Sequence, residues 1–371
     1  MEGGIQSAWS VTKREDNESW ALHDGSLEFG LCHGLPQTDL PDPKKYQMFP
    51  CFSRQYGESQ TSTIRMSGSH ETIGYLLPIT SFRSEEGFAD DWSLRYARVA
   101  LEKLITPSNL SFFARKRTTT PQSSEELYPD EVFDDRLSIA IFGNWNLSQV
   151  SIPVEQLNAI MLEHRVIPAD ISQTLRMSPE YHKHLNVRRP SADLLDVLPI
   201  LTGLIIDADF DNSSLGGFLK YYQTFEICFE KIYSAGVDAL VALKLRPYAA
   251  KKKLDSLTSD RSRLGILASD CLSPARINER FETLGSCCLG LLTEACADTQ
   301  PQDWAQRLYL VRNLMVHEHI RILKVSREKV DSVNDALRSA CCEIIANFAE
   351  PNLGETWKPR DFTPPPSAEP Q

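Results

Sequence analysis

Arg307-Leu308-Tyr309-Leu310-Val311-Arg312-Asn313-Leu314-Met315-Val316-His317-Glu318-His319 decides how the second half of this chain is read. Leu308, Val311, Met315 and Ile322 fall on one stripe at helical spacing, which predicts a helix with one face in a core. Arg312, Asn313 and His317 interrupt the apolar pattern. At about 100° per residue, Asn313 and His317 sit one turn apart on one face, with Arg312 on the flank of the same groove. A cation, an amide and an imidazole therefore converge. Such a trio suits phosphodiester chemistry, in which an imidazole moves protons near neutral pH while a guanidinium holds phosphate oxygens.

Arg312-Asn313, three apolar residues and His317 together resemble the R-x4-6-H signature of the HEPN superfamily. These are helical domains of toxin ribonucleases, phage-defence proteins and CRISPR-associated nucleases. Upstream, Tyr221-Tyr222-Gln223-Thr224-Phe225-Glu226 resembles the Tyr-Tyr-Gln-x-x-Glu run in the first long helix of bacterial members. The likeness covers residues 205–350. Arg65 to His70 and Arg176 to His182 also fit R-x4-6-H, but the first crosses Ser67-Gly68-Ser69 and the second Ser178-Pro179. Neither of those stretches makes a continuous amphipathic helix.

The resemblance implies an endoribonuclease that needs no metal or cofactor, with Arg312, Asn313 and His317 as catalytic residues. It implies a homodimer in which two such motifs face one groove, and a place in anti-phage defence or a toxin system. The N-terminal half would then act as sensor or restraint, taking a phage or host trigger. His319 is expected to be a spectator on another face. Tyr222 and Glu226 are expected to support the trio. Glu226 lies on the apolar-aromatic side of its helix, four residues after Tyr222, where a carboxylate without a partner is costly. Arg312 is its natural partner; the alternative is a place at the wet edge of the stripe.

A chain of 371 residues with 42% hydrophobic content has room for two or three domains with buried cores. Its net charge of -11 argues against broad affinity for nucleic acid, which comes largely from neutralising phosphates. RNA contact must therefore rest on a local basic site. Arg246, Lys251, Lys252 and Lys253, with Arg261 and Arg263, form such a cluster between two predicted helices, although three adjacent lysines also suit a solvated loop or helix end. The nine cysteines include no C-x-x-C pair and no Cys/His spacing suited to zinc. They read as reduced core residues of a cytoplasmic protein. No signal sequence opens the chain, and no run approaches the roughly 18 apolar residues that span a bilayer, so no membrane partner is expected.

The expected fold is α+β: a β-rich mixed N-terminal domain, then an all-α HEPN-like antiparallel bundle. Expected boundaries are an accessory domain over 1–165, a connecting region over 166–205, the bundle over 206–350 and a disordered Pro-rich tail over 351–371. Within the first part, strands are expected at Ser19 to Leu22, Ser26 to Leu31, Tyr46 to Phe52, Thr61 to Met66 and Glu71 to Leu77, with an Asp24-Gly25 hairpin signal. A helix opens at Asp90-Asp91-Trp92 and stops before Pro107; Lys116 through Glu126 reads as a loop. Leu137 to Gly143 has the look of a buried strand, and Pro153 to Glu163 of a short helix. Between the halves, His182, Lys183, His184, Arg188 and Arg189 suggest a solvated basic loop.

Aromatic residues from Phe218 to Tyr233 recur at three and four, giving the first bundle helix, which is expected to end near Gly236. Shorter segments follow at Val237 to Leu245 and Arg263 to Ala268. Long helices are expected from Pro274 to Ala297, from Pro301 through the motif, and over Val330 to Phe348. Two other readings stand beside the nuclease. One is a non-catalytic helical interaction module whose polar trio ties a bundle or dimer together. The other is a DNA-binding regulator, which the acidic balance and the lack of a helix-turn-helix signal disfavour.

Overall fold

The computed structural model describes residues 9–13, 20–24, 27–35, 41–52, 60–88, 90–114, 126–168, 184–211, 213–272, 274–297, 303–322 and 324–357. The fold is α+β, and the chain divides into two compact units, 1–189 and 190–371.

In the first unit the strands are β1 (Trp9–Lys13), β2 (Trp20–Asp24), β3 (Leu27–Leu31), β4 (Tyr46–Phe52), β5 (Ser62–Met66), β6 (Thr72–Pro78), β7 (Glu126–Leu127), β8 (Leu137–Gly143), β9 (Ile167–Pro168) and β10 (His184–Val187). One sheet has the order β10-β5-β6-β8-β4-β9 and the other β1-β2-β3-β7. All seven residues of β8 are buried, Ser138 among them, because both faces of this inner strand are covered. Leu137, Ile139 and Ile141 enter one core, while Ala140 and Phe142 enter the other. The helices are α1 (Asp91–Leu104), α2 (Pro107–Phe113), α3 (Pro129–Val132), α4 (Asn144–Gln149) and α5 (Leu157–Leu162). Tyr96, Ala97 and Leu101 of α1 fill the first core; Leu157, Ile160 and Met161 of α5 fill the second. An Asp90–Ser93 capping box starts α1.

Gly74 of β6 lies opposite Phe142, and a Cβ there would stand 2.4 Å from the Ile141 carbonyl oxygen. Gly74→Ala is therefore expected to destabilise the unit by about 1–3 kcal/mol through overpacking. A thermal melt checks this; an unchanged midpoint would contradict it.

Of the expected connecting region 166–205, the described residues 166–168 and 184–189 belong to the first unit and 190–205 to the second. β9 and β10 are edge strands of the larger sheet, and Leu185 and Val187 are buried beside β5. Nor is the described part of the basic stretch a solvated loop. His184 Nδ1 lies 2.6 Å from Thr63 Oγ1, and Arg188 pairs with Glu163 at 2.9 Å. Lys116 to Glu125, most of the expected loop, falls outside the described residues, as do His182 and Lys183, and Glu126 at its end lies in β7.

The second unit contains α6 (Leu198–Asp209), α7 (Ser214–Leu243), α8 (Pro247–Thr258), α9 (Asp260–Ile266), α10 (Pro274–Glu294), α11 (Trp304–His317), α12 (His319–Ile322), α13 (Arg327–Asn347) and α14 (Leu353–Trp357). The 30-residue α7 passes straight through Gly236, where the sequence suggested a stop. Gly236 serves packing instead: a Cβ there would stand 2.4 Å from Leu257, the fully buried anchor of α8. Part of the expected disordered tail, Leu353–Trp357, is helical and packs on α7, and Pro351 before it is buried; residues 358–371 fall outside the described residues.

Pairing registers give the directions. α6 runs antiparallel to α7, with Asp207 near Lys220 and Asp196 near Lys231. α10 runs antiparallel to α13, with Gly290 near Lys329 and Arg280 near Glu343. α7 and α13 run the same way, because Ser214 meets Asp331 and Tyr221 meets Cys341. So do α10 and α11, with Phe281 and Gly285 against Trp304 and Gly285 against Arg307. A buried ion pair ties α6 to α13: Arg338 Nε donates to Asp209 at 2.8 Å, and Tyr221 of α7 also donates to that carboxylate. Among the described residues no helix is long and apolar enough to cross a membrane.

Candidate functional site

α11 starts at an Asp303 cap, whose side chain accepts from Gln306 N at 2.7 Å. Ala305, Leu308, Val311, Leu314 and Met315 are its buried face. The helix places Arg312, Asn313 and His317 away from that face: the first two are half-buried and His317 is exposed. Arg312 Nη1 donates to Asn313 Oδ1 at 3.4 Å and lies 3.5 Å from His317 Nε2. The expected trio is therefore brought together, with the imidazole beside the guanidinium. The side chain of His319 falls outside the described residues.

The partner of Arg312 is a residue that the sequence did not single out. Asp260, at the start of α9, lies 3.7 Å from Arg312 Nη2 and also pairs with Arg263 at 2.6 Å. The Arg312 guanidinium carbon stands 5.9 Å from the centre of the Tyr222 ring. Tyr222 is buried and stacked between Phe218 and Phe225. Its hydroxyl and Arg263 Nε are buried without a hydrogen-bond partner among the described residues. Burial pushes the Tyr222 hydroxyl above the usual phenol range, and Asp260 adds to this while Arg312 opposes it.

Glu226 sits at the wet edge of its helix, and Asp260 takes the ion-pair role that Arg312 seemed to offer Glu226. Partial burial raises the Glu226 carboxyl above its ordinary range; Arg312 pulls it down and Asp260 pushes it up. Folded chain thus holds this proton more tightly than unfolded chain. The resulting stabilisation is fully present below the unfolded carboxylate pKa and is lost as pH rises through the folded one. Glu226→Gln is accordingly expected to gain stability relative to wild type as pH rises from about 4 to about 7. Melting curves across that range check the sign, and a pH-independent difference would contradict it.

The basic cluster divides into two. Arg263 is spent on Asp260 and on the Phe229 ring, at 5.1 Å, and Arg261 donates to Gln306. Arg246, Lys251 and Lys252 are exposed, on or beside α8 rather than in a loop. Lys253 turns onto the Trp357 ring at 4.9 Å. Asp260 was hidden because its contact joins two helices that are 52 residues apart at Arg312; the one local hint was Asp260 to Arg263 at i,i+3. No family model, no curated protein and no solved structure matches this chain.

Proposed function

We propose that this chain is a metal-independent endoribonuclease of HEPN type, acting as a homodimer in the cytoplasm, in anti-phage defence or a toxin system. One observation carries the proposal: Arg312, Asn313 and His317 meet at a solvent-facing edge of α11, with Nε2 of His317 3.5 Å from the guanidinium. RNA supplies its own nucleophile, the 2′-OH. The enzyme then needs proton transfer and stabilisation of charge on the phosphorane-like transition state. His317 takes the proton from the 2′-OH or gives one to the departing 5′-oxygen. Arg312 stabilises the phosphate charge, and Asn313 positions a phosphate oxygen or the imidazole. The products are a 2′,3′-cyclic phosphate and a 5′-OH. One imidazole cannot act as acid and base at the same instant, so a two-fold partner supplies the second.

Arg312→Ala tests the proposal in an RNA cleavage assay with EDTA. The expected loss is about 10²- to 10³-fold, the scale for removing one group that stabilises transition-state charge. Cleavage at the wild-type rate would remove Arg312 from the mechanism. A second reading, a non-catalytic interaction module, draws on the Asp260 carboxylate that already neutralises Arg312. It requires that neither variant nor wild type cleave RNA.

A further inference from the structure

Residues 239–254 hold five cations, Lys244, Arg246, Lys251, Lys252 and Lys253, and no carboxylate, in a chain of net charge -11. They form the corner between α7 and α8. Lys244 adopts the left-handed conformation that ends α7, and Arg246 caps α8. Elsewhere on α7 the cations are neutralised, Lys220 by Asp211 and Lys231 by Asp196. At the corner Lys244, Arg246, Lys251 and Lys252 are exposed and have no ion-pair partner among the described residues. In their midst stands Tyr248, 82% exposed. Lys251 and Lys252 follow it at i+3 and i+4, so the ring and both ammonium groups share one helical face. Asp255, exposed one turn further on, marks the end of the basic stripe.

A ring left in water costs hydrophobic free energy that packing against the protein would recover. Unpaired cations around it select an anionic partner, and an open aromatic face selects one with bases free to stack. We infer that this corner binds single-stranded RNA, with Tyr248 stacking on a base and Lys244, Arg246, Lys251 and Lys252 contacting the flanking phosphates. Duplex RNA does not fit, because its bases are already stacked on one another. The inference rests on the ribonuclease proposal for its choice of RNA and extends it to the strandedness of the substrate. α8 itself rises about 18 Å from Pro247 to Thr258, and the extended Ser259 joins it to Asp260 at the start of α9. A short oligonucleotide covers that distance.

The test uses the full chain carrying His317→Ala, so that RNA survives the measurement. A fluorescein-labelled 20-nucleotide single strand and its duplex are titrated, and anisotropy is read. The single strand is expected to bind more tightly than the duplex. Tyr248→Ala should weaken it about tenfold, while Tyr248→Phe, which keeps the ring, should bind as the parent does. Lys251→Ala with Lys252→Ala should flatten the slope of log affinity against log salt by about 1.4. Tyr248 is exposed, so the folded state is kept, and a thermal melt of each variant verifies it. Equal binding of strand and duplex, or parental binding by Tyr248→Ala, overturns the inference. The two proposals fail separately. Loss of binding in Tyr248→Ala, with no RNA cleavage by wild type, keeps the corner and removes the nuclease. His317-dependent cleavage with parental binding by both corner variants removes the corner alone.

Discussion

His317→Ala is expected to lower RNA cleavage by about 10²- to 10⁴-fold, the usual contribution of one positioned proton-transfer group. Stability should hardly move. The side chain is exposed at the end of α11, and its polar contact is the 3.5 Å approach of Arg312. Surface substitutions of this kind stay within about 0.5 kcal/mol. His317→Gln should lose as much activity, since an amide keeps polarity and size but does not exchange protons. Initial rates on a labelled RNA, read beside a thermal melt, separate the two effects. Parallel loss of rate and melting temperature would make His317 structural.

Asp209→Ala is expected to have the largest effect on stability, about 3–5 kcal/mol. Asp209 and Arg338 have side-chain exposures of 0% and 2%, and the carboxylate accepts from Arg338 Nε at 2.8 Å and Nη2 at 2.9 Å. Truncating the acid leaves a guanidinium buried without its counter-charge, which costs far more than the intact pair contributes. For a unit of this size the melting temperature should fall on the order of 10 °C. Replacing both partners, Asp209→Leu with Arg338→Met, should recover most of the loss. Tyr221 joins α7 to the same carboxylate, and its neighbour Tyr222 forms the floor beneath Arg312. The pair therefore fixes the helix on which the candidate site rests. A single variant that melts with wild type would contradict this role.

Most strands were legible because their pattern is local. Tyr46 to Phe52 matched to the residue, and the Asp24-Gly25 signal fits the register in which Asp24 pairs with Leu27. The α+β class and the long helices followed from periodicities of two and 3.6 residues. Misreadings fell where one residue type has two uses. Residues 198–205 were read as connecting region but belong to α6, with Pro199 in its first turn, where a missing N–H costs nothing. Gly236 marked a stop but admits Leu257. Three adjacent lysines masked α8, whose buried anchor is the single residue Leu257.

Within the candidate site, Arg312, Asn313 and His317 were legible because i,i+1 and i,i+4 spacing on one helix already brings them together. Asp260 was not, since carboxylates are common and nothing local ties this one to Arg312. Tyr248 was missed for another reason. Sequence counts aromatic residues as core, and only exposure shows which of them stands in water.

The chemistry of the RNA ends tests the central claim most directly. Purified wild-type chain is incubated with total RNA in EDTA, and the cleaved ends are mapped. The account requires 2′,3′-cyclic phosphate and 5′-OH ends, produced by the wild type and lost in His317→Ala. Ends bearing 3′-OH and 5′-phosphate would contradict it, because they require an external water as nucleophile. Intact RNA after incubation with folded protein would contradict it too, and would leave the interaction module as the reading of this polar trio.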